Sequence, residues 1–241
     1  MLQNNKSVAI QKLGTLLMLA ALVIAIAACQ PKTVRPPVAT APVSPQTDTA
    51  GAVRYTIDSA ASTVHILVYR AGAMARFGHN HVVSSRNVTG DVLLHNELNR
   101  SHVALTVPVD SLIVDEPQSR ATEGDDFKAE VPQDARDGTR RNLLRTEVLD
   151  AEHFPNITLQ SIAISGTRNN PSLLMRITMK GVSRDVVTLA RIQEQQGKLS
   201  AEGEFALQQT EFGITPFSVG LGALQVQDRL QIKFRLVANR S

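Results

Sequence analysis

The sequence predicts an all-β domain built as a closed, up-and-down antiparallel barrel of about eight strands. Hydrophobic and polar residues alternate with period two in one segment after another, which is typical of strands with one buried face and one solvent-exposed face. Short turn signals such as Gln196-Gly197 separate consecutive segments, as in a meander. Closing a meander into a barrel removes its unpaired edges, and a two-sheet sandwich is the alternative.

The clearest alternation lies in the second half of the chain. Lys198–Gln208 is predicted to be a strand whose apolar face carries Leu199, Ala201, Gly203, Phe205 and Leu207. Arg229–Leu236 and Leu173–Lys180 repeat this pattern. The remaining strands are expected within residues 64–68, 88–95, 103–109, 157–165 and 185–193.

One segment departs from period two. Thr139–Asp150 places Leu144 and Val148 at helical spacing, and Phe154-Pro155 ends the pattern, so we expect a short helix near one end of the barrel. The polar, acidic stretch 115–137 before it predicts a long surface excursion. That excursion is either a lid over one barrel end or a flexible insertion.

The first 28 residues are typical of a secretory signal peptide, with a basic start, an apolar middle and small residues before a break. The sequence Ile26-Ala27-Ala28-Cys29 resembles the lipobox of bacterial lipoproteins, and Cys29 is the only cysteine in the chain. We therefore expect residues 1–28 to be removed and Cys29 to carry a lipid. Aspartate after the lipidated cysteine is the signal for retention at the inner membrane. Gln30 stands at that position here, which favours anchoring at the outer membrane, with the protein in the periplasm.

Residues 29–52 form the next segment, a proline-rich stretch without apolar periodicity. This composition predicts a semi-extended tether that links the lipidated cysteine to the barrel domain, residues 53–241.

The charge pattern argues against nucleic-acid binding. The formal net charge is +3, and removal of residues 1–28, which hold two lysines and no acid, lowers it to +1. No cluster of lysines or arginines is interleaved with aromatic residues.

The residues also argue against hydrolytic catalysis. No Gly-x-Ser-x-Gly nucleophile motif occurs, and the adjacent carboxylates Asp125 and Asp126 lie in the expected surface excursion. The residues therefore give no support to a hydrolase.

The stretch Arg76–His81 concentrates the polar chemistry of the chain. In an extended backbone His79 and His81 point to the same side, so the pair could ligate one metal ion. A tight site needs a third ligand, for which the candidates are His65, His95, His102, His153 and Glu97. The other interpretation is that His79, Asn80 and His81 are polar contacts at the barrel mouth.

Several segments, taken in order, carry a family resemblance. They are Tyr55–Asp58, Ser62–Val64, Gly90–Val92, Val109–Leu112, Leu149–Ser161, Met179–Val186, Gln209–Ile214 and Val226–Leu230. Their order and spacing across residues 53–239 resemble the YceI-like family of bacterial periplasmic proteins. The paired histidines and the length of 115–138 depart from the pattern of the simplest members.

The resemblance implies an extended, lipocalin-like barrel with an internal apolar tunnel, no catalytic activity, and a polyisoprenoid or fatty-acyl chain as ligand. Sequestration or transport of such a long apolar molecule is the expected function. Candidate wall or mouth residues are Phe77, Leu144, Phe154, Met175, Phe205, Phe212 and Phe217. A metal-binding or redox-associated protein using His79 and His81 is the alternative, and a filled barrel that serves as an envelope interaction module is the third.

Overall fold

The structure, a computed structural model, describes residues 50–241. The expected signal peptide, Cys29 and nearly all of the expected tether lie outside the described residues. Every strand, the closing ladder and the apolar core lie within the compact unit Pro45–Ser241. This segment is therefore a self-contained folding unit.

Eight antiparallel strands form a closed barrel, which confirms the predicted fold class. They are β1 (Val53–Ile57 and Thr63–Val68), β2 (His81–Ser85 and Thr89–Leu94), β3 (His102–Pro108 and Ile113–Val114), β4 (Asn156–Thr167), β5 (Asn170–Met179), β6 (Val182–Gln195), β7 (Lys198–Gln208) and β8 (Arg229–Arg240). Each strand pairs with the next one along the chain, and β8 pairs back onto β1 with Ile57 opposite Ala238. The chain is thus a meander closed on itself, and the sandwich alternative is not adopted.

The first three strands are each interrupted, and the interruptions lie side by side in the sheet. In β1 the break is a 3₁₀ turn over Ser59–Ala61, capped by Asp58, whose Oδ1 accepts the Ala61 N–H at 3.2 Å. At Gly90 in β2 the backbone has φ +135°, and a Cβ there would lie 2.1 Å from the Ala104 carbonyl oxygen. Only glycine permits this close approach of β2 and β3.

The two ends of the barrel differ in their connections. At one end, here called the turn end, β4–β5 and β6–β7 are joined by tight turns and β2–β3 by a short loop. At the other end, here called the loop end, residues 69–80, 115–155 and 209–228 form long connections. Binding residues are commonly carried by such loops on a rigid scaffold, so the loop end is where exchange with the interior is expected.

The excursion 115–155 contains two helices, α1 (Pro117–Ala121) and α2 (Gln133–Leu144). The predicted helix therefore exists but begins and ends about six residues earlier than expected. Pro132 fixes φ at −57° and sets the start, while Arg145 is extended and sets the end. Val148 lies in the turns that follow α2, where it packs against the core without helical backbone.

A second, small sheet lies at the loop end. Its three short strands are Arg70–Ala71, Ser218–Val219 and Leu224–Val226, so it joins the connection after β1 to the connection before β8. Among residues 50–241, no helix is long and apolar enough to cross a membrane.

Candidate functional site: the barrel interior

The barrel encloses a cavity of about 190 Å³ whose wall is almost entirely apolar. All eight strands contribute inward-facing side chains, and among the lining residues within 50–241 only Ser85 and Thr188 have a polar side chain. The alternation seen in the sequence produces this wall directly, because successive residues of a strand point to opposite faces. Such an interior can bind a molecule only through apolar contact.

The cavity extends along most of the barrel. In β7 its lining runs from Leu199 to Leu207, and in β8 from Leu230 to Ala238. Eight residues of strand span about 26 Å, or roughly 20 Å along the barrel axis for strands tilted by about 40°. The cavity therefore suits a long, thin molecule better than a compact one.

A polar bridge crosses the barrel at the turn end. The Tyr55 hydroxyl of β1 donates to Glu194 of β6 at 2.6 Å, although β1 and β6 are not neighbours in the sheet. Arg168 donates to the same carboxylate at 2.9 Å. Burial, together with the Glu194 carboxylate, raises the pKa of Tyr55, and the bonds from Tyr55 and Arg168 lower the pKa of Glu194. This bridge places polar side chains across the interior at the turn end, beyond the apolar lining of the cavity.

Two of the seven predicted wall residues, Met175 and Phe205, line the cavity. Phe212 is fully buried in the core next to it, and Leu144 packs against that core from α2. Phe154 covers Gly181, where a Cβ would lie 2.7 Å from its ring.

The last two predicted residues lie at the surface. The exposed fraction of Phe77 is 61%, and that of Phe217 is 36%.

Sequence reasoning missed most of the wall because it favoured aromatic residues. The wall is largely aliphatic, and its members are the inward positions of each strand, such as Ile177, Ile192 and Leu236. The signal that identifies them was present, since the period-two faces separate inward from outward positions in every strand.

The histidine stretch lies at the loop end, where β2 begins. His81 Nδ1 lies 2.6 Å from Asp115 Oδ2, and the other oxygen of Asp115 accepts the Val82 N–H at 2.9 Å and Arg120 Nη1 at 2.5 Å. The Asp115 side chain is fully buried. Burial by itself would raise the pKa of Asp115, but the bonds from His81, Val82 and Arg120 outweigh it and hold this pKa below its ordinary value.

The neighbours of His81 have different roles. The ring of His79 lies 6.2 Å from that of His81, measured between centroids. Asn80 connects two loops, because its Oδ1 accepts the Arg70 N–H at 3.0 Å and its Nδ2 donates to the Asp126 carbonyl at 3.1 Å.

The candidate third ligands bond elsewhere. His65 pairs with Glu123, His153 with Asp150 and His102 with Ser161, while His95 accepts the N–H of Glu97. Within the part of the chain that the structure describes, no group of three or more His, Cys, Asp or Glu side chains is placed to hold a metal ion.

The excursion covers both the outer wall and the loop end. Glu123 lies on the outside of the barrel, 2.6 Å from His65 Nδ1 of β1 and 2.7 Å from Lys233 Nζ of β8. Burial would raise the pKa of Glu123, but the bonds from Lys233 and His65 lower it. Farther along, Arg140 of α2 donates to the carbonyls of Asp110 and Leu112, which holds α2 over the loop end. The excursion is thus an ordered cover, of which only the second half resembles the expected lid.

The chain is similar to solved structures, of which the first described here shares the fold. BcnA of Burkholderia cenocepacia is 18% identical and superposes with a TM-score of 0.57, over 76% of this chain and 99% of that one. A YCEI protein of Campylobacter jejuni is 14% identical, with a TM-score of 0.42 over 58% of this chain and 72% of that one. No curated protein matches the chain.

A family model described as the YceI-like domain matches residues 55–238. The matched segment begins in β1 and ends in β8, so it includes all eight strands and the whole cavity wall. The protein therefore belongs to the YceI-like family.

Proposed function

We propose that this protein binds a long apolar molecule, a polyisoprenoid or a similar lipid, within its barrel and thereby sequesters or transports it. The observation that carries the proposal is the cavity wall, which all eight strands build almost entirely from apolar side chains. YceI-like proteins bind isoprenoid-like ligands and are generally binding proteins rather than enzymes.

The driving force is the transfer of apolar surface out of water, about 0.8 kcal/mol for each buried methylene. Ser85 and Thr188 offer too few polar partners to recognise a polar ligand inside the cavity. We expect a ligand with a polar head to keep that head at the loop end, because the bridge from Tyr55 to Glu194 crosses the interior at the turn end.

Two matched substitutions in β7 test the proposal. Ala201 lines the cavity and Ala206 does not, although both belong to the same strand. Ala201→Phe places a ring inside the cavity and is expected to abolish uptake of a fluorescent isoprenoid, whereas Ala206→Phe leaves uptake unchanged. Native mass spectrometry of the purified protein provides a second measurement. Absence of any co-purifying lipid, together with no uptake by the unsubstituted protein, would refute the proposal.

We also propose that Cys29 is lipidated and anchors the protein in the periplasm, at the outer membrane. The lipobox-like sequence before Cys29 and the proline-rich residues 29–52 support this. Cys29→Ser is expected to abolish incorporation of radiolabelled palmitate. Ser44→Ala, in the same stretch of sequence, is the control and retains the label. Equal labelling of the Cys29→Ser variant would contradict the proposal.

A second candidate function, metal binding by His79 and His81, is favoured by one observation. The buried carboxylate of Asp115 bonds Nδ1 of His81, which leaves Nε2 as the ligating atom, as in carboxylate–histidine–metal arrangements. Titration with Cu²⁺ or Zn²⁺ of protein purified without a histidine tag tests this candidate. His79→Ala/His81→Ala should abolish stoichiometric binding, while His153→Ala retains it. Binding that persists in the double variant excludes this site.

A further inference from the structure

The exposed hydrophobic residues of this protein are unevenly distributed. Among residues 50–241, nine large hydrophobic side chains are exposed, and five of them lie in the two connections that form the small sheet. These five, here called the apolar patch, are Met74 (47% exposed), Phe77 (61%), Phe217 (36%), Val219 (45%) and Leu221 (109%). Clustered exposed apolar side chains mark interaction surfaces, whereas scattered single ones need no explanation.

The two connections belong to one surface. Val226 pairs with Arg70 in the small sheet, and the Met74 N–H donates to the Ala223 carbonyl at 2.7 Å. Both connections lie at the loop end, on the side of the barrel opposite the bridge from Tyr55 to Glu194. The patch therefore lies at the loop end, where exchange with the cavity is expected.

Leu221 shows that packing within the domain does not explain the patch. It lies at the tip of a hairpin between two glycines, Gly220 and Gly222, and has φ +54°. A leucine in this left-handed conformation costs about 1–2 kcal/mol relative to the right-handed one. Its side chain is fully exposed, so no contact within the domain offsets that cost.

The charged side chains within the segments that carry the patch are arginines. Residues 69–80 and 213–227 contain Arg70 and Arg76 and no aspartate or glutamate. The Arg76 guanidinium lies 4.7 Å from the centre of the Phe77 ring. Acidic residues begin outside these segments, at Glu211, at Asp228, whose carboxylate accepts bonds from Thr210, and at Asp126, whose carbonyl accepts a bond from Asn80. Protruding apolar side chains flanked by arginines suit the boundary between the headgroups and the acyl chains of an anionic membrane.

We propose that the apolar patch is a docking surface for an anionic lipid bilayer, with Leu221 and Phe77 inserted and Arg70 and Arg76 at the headgroups. Docking would bring the loop end of the barrel against the bilayer, in which an apolar ligand dissolves. That last role in ligand exchange rests on the function proposed above, whereas the membrane contact itself does not.

Vesicle sedimentation with the self-contained segment 45–241, which lacks Cys29, tests the contact without an anchor. The segment is expected to bind phosphatidylglycerol vesicles more tightly than phosphatidylcholine vesicles, and less tightly as the salt concentration rises. Phe77→Ser/Leu221→Ser should weaken binding at least about tenfold, because two exposed side chains lose their insertion. The matched control is Val187→Ser/Leu189→Ser, which removes two side chains that are 60% and 67% exposed on β6, outside the patch. This control should retain binding.

Three results would overturn the proposal. They are no binding to either vesicle, equal loss of binding in the two double variants, and a dimer in solution that Phe77→Ser/Leu221→Ser dissociates. The last result would identify a second copy of the chain as the occupant.

Uptake of a fluorescent isoprenoid from cyclodextrin separates this proposal from the binding function. Phe77→Ser/Leu221→Ser should retain that uptake while losing extraction of the probe from vesicles. Vesicle binding without any uptake would leave the docking surface intact and refute the binding function alone.

Discussion

Asp115 is the centre of a buried polar network at the loop end. Its carboxylate accepts bonds from His81, Val82 and Arg120, and Arg120 donates in turn to the carbonyls of Asn80 and Ala129. The Asp115 and Arg120 side chains are both buried, so neither charge has water as an alternative partner. These bonds join the start of β2 to both ends of the segment 115–129.

Asp115→Asn is expected to destabilise the protein by about 3–5 kcal/mol, because it leaves the buried Arg120 guanidinium without its counter-charge. Asp185→Asn is the control. Asp185 also pairs with an arginine, Arg176, at 2.8 Å, but both side chains are more than a third exposed. Loss of that pair should cost less than about 1 kcal/mol. Urea unfolding measures both, and similar losses in the two variants would contradict this account.

The same carboxylate predicts how stability depends on pH. The pKa values of Asp115 and Glu123 are lowered in the folded state, so the unfolded chain binds these protons more tightly. Their contribution to stability is complete above the ordinary carboxyl pKa of about 4 and is lost as the pH falls from there toward the lowered folded values. Unfolding free energies measured from about pH 6 to about pH 3 should fall, and less steeply for Asp115→Asn. An unchanged slope in that variant would show that other groups dominate.

At the scale of elements, the excursion is held on the outer wall by its own small core. Phe127 is buried against Leu67 and Val82 on the outside of β1 and β2, and its ring lies 5.3 Å from that of Tyr69. These outward positions would be polar on a bare barrel. Their apolar character is explained by the segment that covers them.

Phe127→Ala is therefore expected to cost about 3–5 kcal/mol, as for other buried phenylalanines. It should leave ligand uptake by the folded protein unchanged, because Phe127 lies outside the cavity wall. Phe77→Ala, at an exposed ring, should change stability by no more than about 0.5 kcal/mol. Thermal unfolding and probe uptake together check this, and loss of uptake in Phe127→Ala would place the excursion in the binding path.

The elements also show how far sequence can predict this fold. Lys198–Gln208 was predicted with its observed bounds because period-two alternation is a local signal that each strand carries by itself. The start of α2 was misplaced, since Gly138, expected before the helix, lies within it. The link between His81 and Asp115 could not be predicted, because only the paired strands bring these two residues together.

For the molecule as a whole, the sequence predicted the closed eight-stranded barrel but not which side chains line its interior. Closure follows from counting strands in a meander, whereas the wall depends on the register of every strand. The two ends of the barrel also differ in a way that sequence did not indicate, since the bridge from Tyr55 to Glu194 joins residues far apart in the chain.

The ladder between β1 and β8 brings the two ends of the folded segment together. The Ser241 N–H donates to the Arg54 carbonyl at 3.1 Å, and the hydroxyls of Thr56 and Ser241 lie 2.7 Å apart. Topologically the domain is a ring of eight strands with seven chain connections, and the ladder between β8 and β1 takes the place of an eighth. A circular permutant that joins Ser241 to Val53 through a short glycine linker and opens at Gln196-Gly197 should fold and take up the same probe. Loss of uptake in a folded permutant would show that the break between β6 and β7 disturbs the cavity wall. The new chain ends of the permutant lie at the turn end, so the loop end stays free for assays of membrane contact.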